Sequence, residues 1–549
     1  MNVDDGEAFF YQQLLCTLPC RSEKELLGEF RSYRAHYLHL NPNIESAIEA
    51  SSSGHKAQTQ LQFHSFIANL LDKLSSIMSP NITEILKVQI DSLIHLPPTL
   101  PKTIMLDLPE DQYRVINSII QNLGPVSNKK YPYFFITGSA GTGKSYIASI
   151  IANYLMQTKK KNCLLLAPTG VAALNVGGST IHSALRIHQT EAGYQTLALY
   201  DRDFNNQLAE IETLIIDEIS MVSASLFTFI SNLFASIHNS TQAFGGINVI
   251  VVGDLAQLPP VRGEYVFRSS VWHLFYPFFL NQPHRHQANT HFYQMLEEIR
   301  FGNISEETWN CLLQKANSYK PQRSLPSLIT TTHIVSYKQT ADQLNRIINN
   351  ALPVENDKFM ICEALDYING VQQPTEMTQP DFKLKTNLPP SLRIQQGARI
   401  MFLNNSLIEK GICNGIIGIV TDFDKETLSV QVAFCVKIGI IHCWVSRYTS
   451  YFYAAGQPAS RTQFPLQNAF ALTVHKTQGL TLPNITLILD SHMFSAGQAY
   501  VSISRCPTWD NLNIASLHKD AFITDPSVIE EYSRLQTLAK QCLPHTTVS

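Results

Sequence analysis

Residues 138–145, Gly-Ser-Ala-Gly-Thr-Gly-Lys-Ser, match the G-x-x-x-x-G-K-[ST] pattern of a phosphate-binding loop. The apolar run Tyr133–Thr137 precedes the loop, and apolar residues at helical spacing follow it from Ile147 onward. The glycines of such a loop let backbone N–H groups surround phosphate, and the helix start adds partial positive charge. An ordinary glycine-rich turn explains the pattern less well, because every fixed position is present between a strand and a helix.

The loop predicts a site for a nucleoside triphosphate with Mg²⁺. Lys144 is expected to reach the β- and γ-phosphates, and the Ser145 hydroxyl is expected to bind the metal ion. The nucleotide-binding residues predicted from the loop are Gly138, Ser139, Ala140, Gly141, Thr142, Gly143, Lys144 and Ser145.

Two carboxylates follow a second apolar run, Leu214–Ile216. An acidic pair at the end of a buried strand is costly unless it has a function. We therefore predict that Asp217 holds Mg²⁺ through water and that Glu218 orients and polarises the attacking water. A helix N-cap is the alternative for either residue.

A third apolar run, Val249–Val252, leads to Gly253, Asp254 and Gln257. Gln257 is predicted to sense the γ-phosphate and to report it to a second domain. Taken alone, this segment is only a strand followed by a turn. Its position behind the phosphate loop and the acidic pair favours the functional interpretation.

The pattern of apolar residues along the chain predicts the strands and helices that position these residues. Short apolar runs alternate with helical patterns from residue 130 onward. Similar apolar runs occur near residues 329–335, 398–402 and 485–490. Runs buried on both faces between helices indicate parallel sheets, so we predict two α/β domains. The period-two pattern of residues 415–464 predicts a small antiparallel β unit.

The predicted boundaries divide the chain into five parts. They are a helical N-terminal extension (1–100), a first domain (101–275) with a small insertion at about 186–212, a second domain (276–414 plus 465–525), the β unit (415–464) and a C-terminal tail (526–549). The aromatic residues of the β unit are expected in its core, although they could instead stack on bases. They are Trp444, Tyr448, Tyr451, Phe452 and Tyr453.

Composition narrows the class of protein. The 549 residues are 44% apolar and 15% charged, with a formal net charge of -3. These values exclude a disordered chain and a globally basic nucleic-acid binder, but they allow a local basic groove. No apolar run is long enough for a transmembrane helix, the N-terminus lacks a signal-peptide pattern, and the ten cysteines are scattered, so an intracellular location is expected.

The order of the motifs resembles that of superfamily 1B DNA helicases, and in particular the petite-integration-frequency (PIF) family, which is related to the RecD helicases. The N-terminal half of this likeness consists of Gln112, the phosphate loop, Ala167–Ala173, Asp217–Ser220 and Gly253–Pro260. In the C-terminal half, residues 464–481 and 497–505 resemble motifs V and VI of the family. The likeness extends from about residue 103 to residue 520.

The resemblance implies two RecA-like domains with ATP and Mg²⁺ between them, and it implies that the 415–464 unit is a small inserted β-barrel. It also implies a helicase that moves 5′ to 3′ on single-stranded DNA, engages duplex junctions, binds no membrane and acts in the nucleus. Two alternatives stay open: a DNA-stimulated ATPase that translocates without unwinding, and a non-catalytic DNA-binding relic. The second alternative draws on a faint likeness of residues 9–27 to Helitron-type transposon proteins.

Individual roles follow from the family pattern. Gln112 is expected to pair with adenine, and Arg285 and Arg505 are expected to act as arginine fingers, with a surface ion pair as the alternative for each arginine. The expected catalytic set is Lys144, Asp217, Glu218, Gln257, Arg285 and Arg505. The expected DNA-binding set is Thr169, Gly170, His182, His475, Lys476, Thr477 and Gln478.

Two departures from the family pattern lie near the site. His286 stands where the family has glutamine, and Leu255 stands where phenylalanine is usual. Neither departure changes a residue that is expected to face the phosphates. We therefore expect an active enzyme, although the two departures could weaken the coupling of hydrolysis to movement.

Overall fold

The computed structural model describes residues 82–94, 108–126, 129–190, 193–284, 290–319, 325–353, 358–424, 426–436 and 439–541. It also describes Leu14, His36 and Leu40. The predicted N-terminal extension lies outside the described residues, apart from these three positions and helix α1 (Ile82–Ile94). Within the described ranges, no helix combines the length and the apolar character that a membrane crossing needs.

The first α/β domain is built on a sheet of six parallel strands in the order β3-β2-β6-β7-β1-β8. The strands of this domain, including the separate antiparallel hairpin β4–β5, are β1 (Tyr133–Gly138), β2 (Cys163–Ala167), β3 (Ser179–Thr180), β4 (Ile187–Thr190), β5 (Gly193–Thr196), β6 (Thr213–Ile216), β7 (Asn248–Gly253) and β8 (Phe275–Leu280). Its helices are α2 (Glu110–Asn122), α3 (Lys144–Gln157), α4 (Gly170–Val176), α5 (Ile181–Ala184), α6 (Arg202–Ala209) and α7 (Ala224–Ile237).

The apolar runs of the sequence form the central strands of this six-stranded sheet, on which helices pack. Every residue of β1, β6 and β7 is buried, as expected for strands packed on both faces. Parallel strands bring their carboxyl ends to one edge, so the phosphate loop, the acidic pair and the Gln257 turn all begin at the same edge of the sheet.

The second half of the chain carries the remaining strands. They are β9 (Thr332–Val335), β10 (Phe359–Glu363), β11 (Leu365–Ile368), β12 (Val371–Gln373), β13 (Ser391–Gln395), β14 (Arg399–Phe402), β15 (Ile417–Asp424), β16 (Ser429–Val436), β17 (Gly439–Val445), β18 (Tyr448–Ala454), β19 (Gln457–Gln463), β20 (Leu466–Asn468), β21 (Ala471–Thr473), β22 (Ile485–Leu489) and β23 (Leu512–Leu517). Its helices are α8 (Thr290–Phe301), α9 (Glu306–Ser318), α10 (Leu325–Thr330), α11 (Lys338–Ala351), α12 (Thr375–Phe382), α13 (Val474–Thr477), α14 (Gln498–Ile503) and α15 (Pro526–Ala539).

A second parallel sheet, in the order β21-β9-β22-β23, forms the centre of the second domain. The prediction of two α/β domains with parallel sheets is therefore confirmed. Helices α13 and α14, which carry the motifs predicted to contact DNA and ATP, lie beside this sheet, because α13 follows β21 directly and α14 contacts β22.

The antiparallel unit is larger than predicted. Strands β15 to β19 are antiparallel, as the period-two pattern indicated, but they belong to two different sheets. One sheet has the order β17-β16-β15-β14-β20, and the other has the order β12-β11-β19-β18. Both sheets include strands outside residues 415–464, so these boundaries do not enclose the unit, and its closure into a barrel stays a prediction.

The two ends of the first domain also differ from the prediction. Strand β8 pairs with β1, so the sheet extends past the predicted boundary at residue 275. Pro277 lies in β8, where proline is tolerated because β8 is an edge strand. The predicted tail contains helix α15, which packs on β8 and contributes Val528, Tyr532 and Leu535 to the core of the first domain.

Candidate nucleotide site

The phosphate loop turns tightly between β1 and α3. Gly141 and Gly143 have φ values of +86° and +85°, in the left-handed region that favours glycine. The ammonium of Lys144 lies inside the loop and donates to the carbonyls of Gly138 and Ser139, at 2.8 Å each. Burial lowers the pKa of Lys144, and the carboxylates of Asp254 and Glu218 oppose that shift. The loop therefore encloses the Lys144 ammonium, and its binding of phosphate stays a prediction.

Gln112 lies against this loop. It is a buried residue of α2, and its side-chain amide donates to the carbonyl of Thr142 at 3.2 Å. A Cβ at Gly143 would lie 2.5 Å from the Gln112 amide nitrogen, so only glycine allows this approach. The structure thus places Gln112 against the loop, and its contact with adenine stays a prediction.

The acidic pair follows β6 at the same edge. Burial, together with the charge of Glu218, raises the pKa of Asp217 to about 7, while a hydrogen bond from Ser145 lowers it. Asp217 and Ser145 are hence adjacent oxygen groups of the type that Mg²⁺ prefers. They fit the metal role predicted for both. Glu218 has a φ of +50°, a strained value for a residue with a side chain.

The second domain reaches this acidic pair through Gln478. Its side-chain amide donates to Glu218 Oε2 at 3.2 Å and to Gln257 Oε1 at 3.5 Å. Gln478 is buried, and its own Oε1 has no hydrogen-bond partner in the described part of the chain. Gln478 was predicted to bind DNA, and the structure places its side chain against Glu218, the residue predicted to activate water.

Arg505 is a second residue from the other domain. Its buried guanidinium donates to the carbonyls of Val501 at 2.9 Å and Leu480 at 3.3 Å. Burial lowers the pKa of Arg505, and the charge of Glu218 opposes the shift. Arg285 and His286 lie outside the described residues. The residue before them, His284, donates its backbone N–H to the carbonyl of Gly141 at 2.9 Å.

A buried cluster around Asp254 was missed by sequence reasoning. The Asp254 carboxylate accepts hydrogen bonds from Arg300, Tyr500 and Tyr532. Tyr500 belongs to the second domain, and Tyr532 belongs to α15. A signal for α15 existed, because Asp525-Pro526 is a good helix start and Val528, Tyr532 and Leu535 follow at helical spacing.

The residues predicted to bind DNA in the first domain fall into two groups. Thr169 caps α4 by accepting from the Ala172 N–H at 3.3 Å, and His182 is exposed on α5. Gly170 is buried instead. A Cβ at this position would lie only 2.8 Å from Asn405 Oδ1. Gly170 therefore permits a close contact with the second half of the chain, and it does not offer an open surface.

The predicted DNA-binding residues of the second domain also differ among themselves. His475 is partly exposed and stacks on the exposed ring of Phe494, with ring centroids 6.1 Å apart. Lys476 is partly exposed, donates to Gln467, and has its pKa lowered to about 8 by burial and by Lys338. Thr477 is fully buried, and its hydroxyl donates to the Val474 carbonyl at 2.8 Å, so its side chain is not available to a strand.

The aromatic residues of the antiparallel unit lie mostly on its surface, contrary to the expected core position. The exposed ones are Trp444, Tyr448, Tyr451 and Tyr453. Only Phe452 packs inward, against Phe382, with ring centroids 4.7 Å apart. Tyr451 and Tyr453 alternate with Phe452 along β18 and therefore lie on its open face. Trp444 lies in β17, which is an edge strand like β18.

Comparison with known proteins agrees with the geometry of the site. Residues 107–310 match the family model of the PIF1-like helicase. The ATP-dependent DNA helicase PIF1 of Homo sapiens is 32% identical over 455 residues, which are 81% of this chain and 65% of the human protein. The chain thus spans slightly less than two thirds of that relative.

A bacterial relative matches along nearly its whole length. The ATP-dependent DNA helicase Pif1 of Campylobacter jejuni is 30% identical over 446 residues, which are 74% of this chain and 95% of that protein. The crystal structure of Pif1 helicase from Bacteroides in complex with ADP-AlF3 and ssDNA is similar with a TM-score of 0.61 and 26% identity, and covers 79% of this chain and 98% of that one. The two parallel sheets are accordingly RecA-like domains, and this chain belongs to the PIF1-like helicase family.

Proposed function

We propose that this protein is an ATP-dependent DNA helicase that moves 5′ to 3′ on single-stranded DNA and unwinds duplex. The observation that carries the proposal is the contact of Gln478 with Glu218 and Gln257. It joins the second RecA-like domain to the residue best placed to activate water. ATP hydrolysis at this interface can therefore be coupled to relative movement of the two domains.

Each residue of the site has a chemical role in this proposal. The loop N–H groups and Lys144 bind the phosphates, and Glu218 orients the attacking water and accepts its proton. Ser145 and Asp217 would hold Mg²⁺, which neutralises charge on the phosphates when it is bound. Arg505 would supply positive charge to the γ-phosphate from the second domain, and Arg285 would supply it from the segment after β8.

The hydrogen bonds of Arg505 suit its proposed role at the γ-phosphate. The Arg505 guanidinium bonds to neutral groups of its own domain, which are two carbonyls and the hydroxyl of Ser504 at 2.9 Å. No carboxylate holds it within hydrogen-bond distance in the described part of the chain. A small domain movement can then deliver its charge to a phosphate without breaking an ion pair.

The DNA strand is proposed to cross both domains at Thr169, His182, His475 and Lys476. Two of these residues can act on a strand in complementary ways, since Lys476 can pair with phosphate and His475 can stack on a base. The Bacteroides relative was solved with ADP-AlF3 and ssDNA, which supports the same pair of ligands for this chain.

The test is strand displacement on two duplexes that differ only in the tail. The proposal expects ATP-dependent displacement from the duplex with a 5′ single-stranded tail and little from the 3′-tailed one. Displacement from the 3′-tailed duplex alone would contradict the direction. ATP turnover with no displaced strand from either substrate would favour a translocase that does not unwind, and absence of turnover would favour a DNA-binding relic.

A further inference from the structure

Asp254 is a buried anion with an unusual number of donors. Its side chain has no exposed surface, and its Oδ1 accepts from Arg300 Nη2 at 2.9 Å, Arg300 Nε at 3.1 Å and the Tyr532 hydroxyl at 2.8 Å. Its Oδ2 accepts from the Tyr500 hydroxyl at 2.9 Å. Burial opposes ionisation, but Arg300 and Lys144 outweigh it and hold the pKa of Asp254 below its usual range.

The direction of every bond in this cluster follows from the charge of Asp254. An ionised carboxylate only accepts, so both tyrosine hydroxyls must donate to it. The Tyr500 oxygen then accepts from the Ala140 N–H of the phosphate loop at 2.8 Å. The Tyr532 oxygen accepts from the Leu255 N–H at 2.9 Å, and it also accepts from the Thr137 hydroxyl at 3.0 Å. Both lone pairs and the proton of Tyr532 are thus in use.

The partners of Tyr532 belong to the two segments that lead into the candidate nucleotide site. Thr137 immediately precedes the phosphate loop, and Leu255 lies two residues before Gln257. The same Asp254 carboxylate also accepts from the Ala256 N–H at 3.1 Å, so the turn that presents Gln257 is held at two successive amides. One hydroxyl therefore connects the strand before the loop with the turn that meets the second domain.

Tyr532 is itself fixed by the attachment of α15 to the first domain. Its ring packs edge-on against Phe301 and lies beneath the Arg300 guanidinium, 4.9 Å from the ring centroid. Glu531 accepts from the Trp272 indole N–H at 2.7 Å, and the end of the helix is held by the Tyr276 hydroxyl, which donates to the Gln541 carbonyl at 2.9 Å. Helix α15 is thus bonded at its centre and at its end.

We propose that Tyr532 is a positioning residue for ATP hydrolysis and that α15 is an integral part of the nucleotide site. The inference rests on the proposed function. Tyr532 acts through Asp254, Thr137 and Leu255, and it keeps the phosphate loop and the Gln257 turn in one geometry. Tyr500 brings the second domain to the same carboxylate, so this geometry is shared by both sides of the interface.

The test compares Tyr532→Phe with Tyr276→Phe in the full chain, by ATP hydrolysis with saturating single-stranded DNA. Tyr532→Phe keeps the ring and removes only the hydroxyl, and we expect kcat to fall about tenfold while the KM for ATP stays within about twofold. Tyr276→Phe removes one hydroxyl that also holds α15 but does not touch Asp254, so its kcat should fall much less than that of Tyr532→Phe.

Two further variants separate positioning from folding. Thr137→Val removes the hydroxyl that donates to Tyr532 and should lower kcat, whereas Thr137→Ser keeps a hydroxyl and should restore it. Melting temperatures of all variants show whether a loss of kcat merely follows a loss of folded protein. Thr137→Val provides the same test if Tyr532→Phe fails to fold.

Each outcome decides between two explanations. Equal kcat values in Tyr532→Phe and Tyr276→Phe, or a change in KM alone, would overturn the positioning role while leaving the proposed function intact. A wild-type chain without DNA-stimulated turnover would instead overturn the proposed function, and this inference with it.

Discussion

At the scale of single residues, Asp217 lies buried beside a second carboxylate, and both features raise its pKa to about 7. An aspartate in the unfolded chain has a pKa of about 3.9, so the folded state binds the proton more tightly. The ionised carboxyl therefore weakens the fold above pH 7, and the effect disappears as the pH falls toward 4. The metal role proposed for Asp217 would explain why a carboxyl is kept at a position where it costs stability.

We therefore predict that Asp217→Asn raises the melting temperature at pH 8, without Mg²⁺ or nucleotide, by a few degrees. The gain should shrink at pH 5, where the wild-type carboxyl is protonated. Thermal unfolding at both pH values measures it, and Asp381→Asn, at an exposed position of α12, serves as the matched control. A lower melting temperature for Asp217→Asn at pH 8 would contradict the assignment.

Gln478 gives a second prediction at this scale, since its contacts separate two interpretations. If it serves the catalytic carboxylate, Gln478→Ala should lower the kcat of ATP hydrolysis about tenfold, because a hydrogen bond to Glu218 is lost. The affinity for single-stranded DNA should stay the same. His475→Ala is the companion variant, in which we expect weaker DNA binding. The reverse pattern, measured by fluorescence anisotropy and ATP turnover, would return Gln478 to the DNA-binding set.

At the scale of elements, the loops after parallel strands were the most predictable parts of the chain. The phosphate loop is specified by eight consecutive residues, and its neighbours β1 and α3 have clear periodicity. By contrast, Tyr532 meets Asp254 across 278 positions, and Gln478 meets Glu218 across 260. Contacts of this separation depend on how the domains pack, and local pattern carries no information about them.

The prediction failed where an element departs from the common pattern of its class. Strand β8 lies past the predicted boundary at residue 275 and contains Pro277, which an edge strand tolerates. The aromatic residues of β18 were expected in a core because of their type, but half of an edge strand faces outward.

The approach of the two domains at Gly497 gives a prediction for an element. A Cβ at Gly497 would lie 2.6 Å from the Ala256 carbonyl oxygen and 2.9 Å from that of Gln257, and both atoms are backbone. Gly497→Ala should thus separate the start of α14 from the Gln257 turn. We expect DNA-stimulated ATP turnover to fall at least about tenfold.

Gly456 provides the matched control for this variant. Gly456 and Gly497 both have a φ of +77°, but nothing lies within 4 Å of a Cβ at Gly456. Both substitutions carry the same backbone strain, and only Gly497→Ala adds the clash. Equal turnover in Gly456→Ala and Gly497→Ala would mean that the close approach of the domains has no role in hydrolysis.

At the scale of the whole molecule, residues from three separate parts of the chain meet at the candidate nucleotide site. The first domain supplies the phosphate loop and the acidic pair, the second domain supplies Gln478, Tyr500 and Arg505, and α15 supplies Tyr532. Leu255, a departure from the family pattern, is buried, and its N–H bonds to Tyr532. This bond uses the backbone of Leu255 and does not involve the leucine side chain.

In the proposed function, ATP hydrolysis between the two domains is coupled to a DNA strand. The most direct measurement is the rate of ATP hydrolysis with and without single-stranded DNA, in the wild-type chain and in Glu218→Gln. We expect strong stimulation by DNA in the wild-type protein and loss of turnover in the variant, with DNA binding retained. Turnover that DNA leaves unchanged, or that survives in Glu218→Gln, would rule out this coupling.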